Sequence, residues 1–264
     1  MYFYTKDRTK LHYTDTGDIE KIPIIAIPGI GGSAKMWLKM IELFKQDYRV
    51  IVLDPRNQGR SQRTYKGERI STHAADVEDL INYLKIKKFI AIGNSMGAAN
   101  FWSYLSIFGS EKMLAMVDLD QSPKMISDDT WKFGFKDLSW NNYPEYLKLD
   151  FGKAFYAHID DEMFLAAKQE YQKYPYDPEK NYNCLIDHSL QDWRDLIMDV
   201  QIPMLIIAGK ESPYFDYHFV DAVKLLNNKI ETSIISNCGH LIQAEQPDEM
   251  YRIVIKFLKA NLNI

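Results

Sequence analysis

The 264-residue sequence predicts an α/β protein: a mostly parallel central sheet flanked by helices, with a helical segment inserted late in the chain. Three observations carry that prediction. Short apolar runs rich in branched residues alternate with segments of helical spacing, and parallel strands need the crossovers that helices supply. The runs are continuously apolar rather than alternating, as strands covered on both faces are. Between Ser122 and Val200 the alternation stops and aromatic residues crowd the chain.

The elements follow in order. YFYT and KLHYTDTG open as two strands joined by a turn, and IPIIAIPG is a buried strand ending in Pro-Gly. SAKMWLKMIELFK reads as one helix with Met36, Trp37, Met40, Ile41 and Phe44 on one face. YRVIVLD is a strand, and STHAADVEDLINYLK is a helix that starts on a Ser/Thr signal at Ser71. KFIAIGNS is a strand, MGAANFWSYLSIF a helix and KMLAMVDLD a strand. After the gap come the strand PMLIIAGK, the helix DYHFVDAVKLLN, the strand ETSIIS and the final helix PDEMYRIVIKFLKANL. Residues 1–122 and 200–264 are expected to form the core, and 123–199 a helical cap over the C-terminal edge of the sheet.

Within that cap a helix is expected around Asp160 to Tyr171. Trp131, Phe133, Phe135, Trp140, Tyr143 and Tyr146 need something to pack against, which suggests an aromatic-rich wall over the site. A structural insertion packing on itself is the alternative.

Composition narrows the function. A net charge of −4 with acids and bases interleaved offers no basic face for nucleic acid and no polybasic membrane patch. No apolar run reaches the ~18–20 residues needed to span a bilayer. The opening MYFYTKDRTKLHYTD lacks the apolar core of a secretory signal. Two cysteines, Cys184 and Cys238, make neither a disulfide framework nor a zinc ribbon. The expectation is a cytoplasmic monomer or homodimer. No two of the six histidines sit at metal-ligand spacing with an acid between them, so no metal is expected.

The sharpest signal is IAIGNSMGA. Gly93-Asn94-Ser95-Met96-Gly97 fits G-x-S-x-G between a strand and a helix. The turn is tight and strained, so small residues must flank the serine. The strain lifts the hydroxyl above the sheet edge, and the Met96 amide at the helix N-terminus favours developing negative charge there.

With that motif the sequence resembles the α/β-hydrolase superfamily over nearly its whole length. IPGIGGSAKMW is similar to the family's loop after the third strand; Pro28 stands where a histidine is usual, and Gly29 fits the glycine. The resemblance makes Ile30 the second oxyanion N–H donor beside Met96. LDPRNQGRS is similar to the family's D-x-R-G-x-G-x-S segment, with Asn57 in place of a glycine and with Asp54 and Arg56 assigned to loop structure. SNCGHLIQAEQPDEM resembles the histidine loop, which makes His240 the general base. His12, His73, His158, His188 and His218 have no such context.

The acid is the open point. Most relatives carry it in a loop like G-x-x-D-P after the strand matched by PMLIIA, but this chain reads Gly209-Lys210-Glu211-Ser212-Pro213. Glu211 lies one residue early, and Asp216 lies near the next helix start, where an acid can simply cap. Asp120 ends the strand after the nucleophile helix, and a branch of small esterases looks similar in having an Asp there and a Ser in the later loop. Asp118, two residues earlier, would lie deeper on the same face. Asp120 is the expected acid, with Glu211 as the alternative.

The resemblance then implies a serine hydrolase of carboxylic esters or thioesters with a Ser95–His240–Asp120 triad, an acyl-enzyme intermediate and no cofactor. Its substrate would be a small, largely apolar molecule. A carbon–carbon bond hydrolase of the meta-cleavage type and a non-catalytic ligand-binding protein on the same fold are the alternatives. Haloalkane dehalogenases and epoxide hydrolases resemble the fold but use an aspartate at the Ser95 position.

Overall fold

The structure is a computed structural model that describes residues 1–262. Its strands are β1 (Tyr2–Tyr4), β2 (Lys10–Asp15), β3 (Pro23–Ile27), β4 (Arg49–Leu53), β5 (Phe89–Asn94), β6 (Met113–Leu119), β7 (Met204–Gly209) and β8 (Glu231–Ile235). The helices are α1 (Leu38–Phe44), α2 (Ile70–Tyr83), α3 (Met96–Phe108), α4 (Asp161–Lys173), α5 (Pro178–Leu190), α6 (Arg194–Asp199), α7 (Phe219–Leu226), α8 (Ile242–Glu245) and α9 (Pro247–Asn261).

The sheet runs in the order β1-β2-β4-β3-β5-β6-β7-β8. The β1–β2 and β2–β4 pairs are antiparallel, and every later pair is parallel. Successive residues on each inner strand serve opposite layers. Ile25, Ile27, Ile51 and Ala91 join the core beneath α2 and α3, whereas Ile24, Ala26, Val52 and Ile92 join the core beneath α1 and α9. Two covered faces are the physical reason that these strands read as unbroken apolar runs. No helix among the described residues is long and apolar enough to cross a membrane.

Three expected helices begin differently; the one read from DYHFVDAVKLLN starts at Phe219, after a turn at Tyr217–His218. SAKMWLKMIELFK divides into a 3-10 turn, Ala34–Trp37, and α1. Its first turn is tied to neighbours: Asp54 Oδ1 takes the Ala34 amide at 2.8 Å and Ser33 Oγ takes that of Lys35 at 3.3 Å. Trp37, Met40 and Phe44 are buried as the spacing predicts, while Met36 and Ile41 are half-buried. Helix α2 starts at Ile70 rather than at Ser71, and its cap comes from afar: the Ile70 amide donates to Asp187 Oδ2 of α5 at 2.8 Å.

Between β6 and β7 the chain forms a 3-10 turn at Glu145–Lys148 and helices α4, α5 and α6. Sequence reading expects only α4, yet α5 carries its own start signal. Asp177 accepts the Lys180 amide at 3.1 Å and Pro178 occupies the first turn. The six aromatics expected to wall the site divide. Phe135 lines a cavity beside Ser95, Trp140 is 56% exposed, and the other four pack into or against the core.

Candidate active site

The G-x-S-x-G turn joins β5 to α3. Ser95 sits at φ +54° and ψ −130°, outside the regions an L-residue favours. The flanking glycines are required by close approach: a Cβ on Gly93 would lie 2.3 Å from Ala98 N, and one on Gly97 2.1 Å from Ile27 O. The Ser95 amide donates to Leu119 O at 3.0 Å, and Ser95 O accepts the Ala98 amide at 2.8 Å. These bonds hold the strained residue from both sides.

The loop after β3 passes beside it. A Cβ on Gly29 would meet the Ser95 Cβ at 2.8 Å, so glycine lets this loop approach the serine. Gly31 N donates to Gln58 Oε1 at 2.6 Å and Gly32 N to Gly29 O at 3.0 Å. Neither bond uses the Ile30 amide, and Ile30, Ser95, Met96 and His240 line one cavity of about 810 Å³.

His240 follows β8 and is buried. Its Nδ1 lies 2.6 Å from Asp120 Oδ2. Asp120 is fully buried directly after β6, with φ +59°, a conformation Asp tolerates better than most residues. Its carboxylate has three partners. Oδ2 also receives the Ser212 hydroxyl at 2.6 Å, and Oδ1 receives the Gly209 amide at 3.0 Å. The rings of Tyr214 and Phe215 stand 4.6 and 6.0 Å from the imidazole, centre to centre.

The other acids lie elsewhere. Glu211 accepts the Cys238 amide at 3.0 Å and so braces the histidine loop through its main chain rather than through the imidazole. Asp216 pairs with His218 on the surface. Asp118 lies below, taking the Gln121 amide at 3.1 Å; burial first, and then the charge of Asp120, push its carboxyl well above the usual range. Asp54 binds His12 and loop amides, and Arg56 binds Asp76, Asp7 and Thr9. Asn57 adopts φ +63°, which explains how it stands in for glycine. Among the described residues no group of three or more His, Cys, Asp or Glu could hold a metal ion.

Sequence reasoning missed two residues that join these loops. Asn94 donates from Nδ2 to Leu119 O and to His240 O, both at 2.9 Å, and so ties the serine turn to the histidine loop. It is a variable position of the motif, and its only signal is an amide side chain next to the serine. Glu245 is the second; its carboxylate accepts main-chain amides from Gly239 and Leu241 on either side of His240.

A family profile described as "alpha/beta hydrolase fold" matches residues 22–247. The 3-oxoadipate enol-lactonase 1 of Acinetobacter baylyi is 24% identical over 247 residues, 91% of this chain and 90% of that protein. Among solved structures, an esterase from Exiguobacterium antarcticum superposes with a TM-score of 0.83 at 18% identity, covering 98% and 99% of the two chains. A bromoperoxidase from Bacillus anthracis superposes with a TM-score of 0.82 at 21% identity, covering 98% and 100%. At these identities the structural likeness is one of fold.

Proposed function

The chain belongs to the α/β-hydrolase family, and on that premise we propose that it hydrolyses carboxylic esters or thioesters through an acyl-enzyme intermediate. The observation that carries this reading is the 2.6 Å contact of His240 Nδ1 with Asp120 Oδ2, beside a cavity that Ser95 and His240 share. In that contact Nδ1 carries the proton, which leaves Nε2 free to accept one.

Ser95 Oγ attacks the substrate carbonyl as its proton passes to His240 Nε2. The oxyanion takes hydrogen bonds from the Ile30 and Met96 amides, donors fixed in place before reaction. Asp120 stabilises the imidazolium. His240 then returns the proton to the leaving alcohol or thiol, and the carbon–oxygen or carbon–sulfur bond breaks. Water enters, gives a proton to His240 and attacks the acyl-enzyme, and Ser95 regains its proton as the acid departs.

Residues 123–199 act as the cap in this reading. They supply most of the apolar cavity wall, including Phe135, Phe151, Tyr176 and Tyr182, which suits a largely apolar acyl or alcohol group. The name of the lactonase relative points to an internal ester, and that of the structural neighbour to an ester. The test is a fluorophosphonate probe at near-neutral pH, with the adduct located by mass spectrometry. A single adduct on Ser95 is expected; absence of labelling at Ser95 overturns the serine-hydrolase reading.

A further inference from the structure

Glu245 closes α8 and is only 6% exposed, yet it lies outside the reaction just described. Its Oε2 accepts three main-chain amides at 2.8 Å each: Gly239, Tyr156 and Ala157. Its Oε1 accepts the Leu241 amide at 3.0 Å. The His240 amide, between Gly239 and Leu241, donates to Ala154 O at 3.0 Å. Three consecutive amides of the histidine loop are thus satisfied by Glu245 and by the segment that Glu245 also binds.

Gly239 fits no larger residue, because a Cβ there would lie 2.7 Å from Tyr156 N and 3.0 Å from Glu245 Oε1. Hydrogen bonds from amides to a carboxylate are among the stronger kinds, and leaving buried amides unmade is costly. An acidic side chain confined among backbone donors is therefore a device for fixing main chain. Fixing the main chain on both sides of His240 leaves the imidazole only its own side-chain torsions, and Asp120 holds those.

We propose that Glu245 is a positioning residue for His240, and that it makes the histidine loop and residues 154–157 one body. This rests on the reading of His240 as the base. Ala154 lines the cavity while belonging to the segment inserted between β6 and β7. Whatever displaces that part of the insertion therefore displaces the base as well.

A double-mutant cycle tests the positioning role on a p-nitrophenyl ester. Glu245→Gln keeps an acceptor and the side-chain length. It should lower kcat about 10-fold with KM changed less than about 2-fold. In a His240→Ala background the same substitution should change the residual kcat by less than about 2-fold, because the group it positions is gone. Equal loss in both backgrounds, or a change in KM alone, overturns the positioning role. If His240→Ala itself leaves kcat intact, it is the reading of His240 as base that fails.

Amide hydrogen exchange on the unmodified protein tests the coupling and decides alone if Glu245→Gln does not fold. After correction for intrinsic rates, the Tyr156, Ala157, Gly239 and Leu241 amides should exchange within about 3-fold of one another, as one opening unit. Exchange at Tyr156 and Ala157 about 100-fold faster than at Gly239 overturns the claim that they form one body.

Discussion

The strand ends and the segment between β6 and β7 hold their side chains by different means. At the strand ends, main-chain geometry sets position. Ser95 and Asp120 both adopt positive φ, and a Cβ on Gly209 would lie 2.0 Å from Gly239 O, so β7 and the histidine loop nearly touch. Residues 170–181 of the inserted segment are pinned instead by scattered polar groups from the loop after β4. Asn57 Nδ2 donates to Lys180 O at 3.0 Å, Gln58 bonds Asn181, Arg60 pairs with Glu170, and Arg63 donates to Tyr174 O at 3.0 Å. One region tolerates few residue types. The other is fastened at points that many sequences could supply. Ser95 and Asp120 are thus placed by the sheet, while most of the apolar cavity wall comes from the inserted segment.

The sharpest way to break this comparison is to ask whether the acid belongs to a strand end. Asp120→Asn keeps the shape of the side chain but offers His240 Nδ1 an amide. The imidazole is then no longer held in its working tautomer, and kcat on a soluble ester should fall about 10⁴-fold. Glu211→Gln still offers Cys238 an acceptor and should change kcat by less than about 2-fold. A reversed ranking of these two variants would move the acid to the later loop.

What was legible in the sequence follows the same division. Strand runs and the serine turn could be read because their causes are local: branched apolar residues between two covered faces, and small residues around a strained serine. The histidine loop could be read through resemblance. Glu245 could not, because an acid five residues after the histidine looks like an ordinary surface carboxylate until Tyr156 and Ala157 arrive from elsewhere in the chain. The start of α2 was likewise hidden, since its cap is Asp187, 117 residues away. Phe135 and Trp140 look equivalent in sequence, yet one lines the cavity and the other faces solvent.

The seam between the two regions should be the first to yield to acid. Helix α2 meets α5 across His73 and Cys184, with Nε2 and Sγ 3.7 Å apart, and His188 is buried one turn further along α5. Burial pushes His188 down to about 4 and, with help from Arg56, His73 down to about 3. An unfolded histidine takes up its proton near pH 6.5, so below that pH the unfolded chain binds more protons than the folded one. The contribution is complete above pH 6.5 and shrinks as the pH falls towards the folded values. For His188 the loss between pH 7 and pH 5 should be about 2 kcal/mol. Urea unfolding of His188→Gln should show that much less change over this interval than the parent protein. An identical pH dependence in both would mean that His188 titrates normally in the fold.

The smallest effect is expected at Ser212, and it bears most directly on how the strand end works. The Ser212 hydroxyl donates to the same Asp120 oxygen that holds His240. It also accepts, more weakly, from the Tyr214 and Phe215 amides at 3.3 and 3.4 Å. Removing it has two opposed consequences. The carboxylate loses a brace on its rotamer, which weakens its hold on the imidazole. It also loses a competing donor, which leaves more of its charge for His240 and strengthens that contact. Gly209 and the positive φ of Asp120 still fix the carboxylate's origin, so the loss of brace should be partial. Ser212→Ala should therefore lower kcat on a soluble ester only about 5-fold. A kcat that rises would mean that competition for the carboxylate outweighs the brace. A loss as large as that of Asp120→Asn would mean that the strand end cannot hold its acid without the later loop.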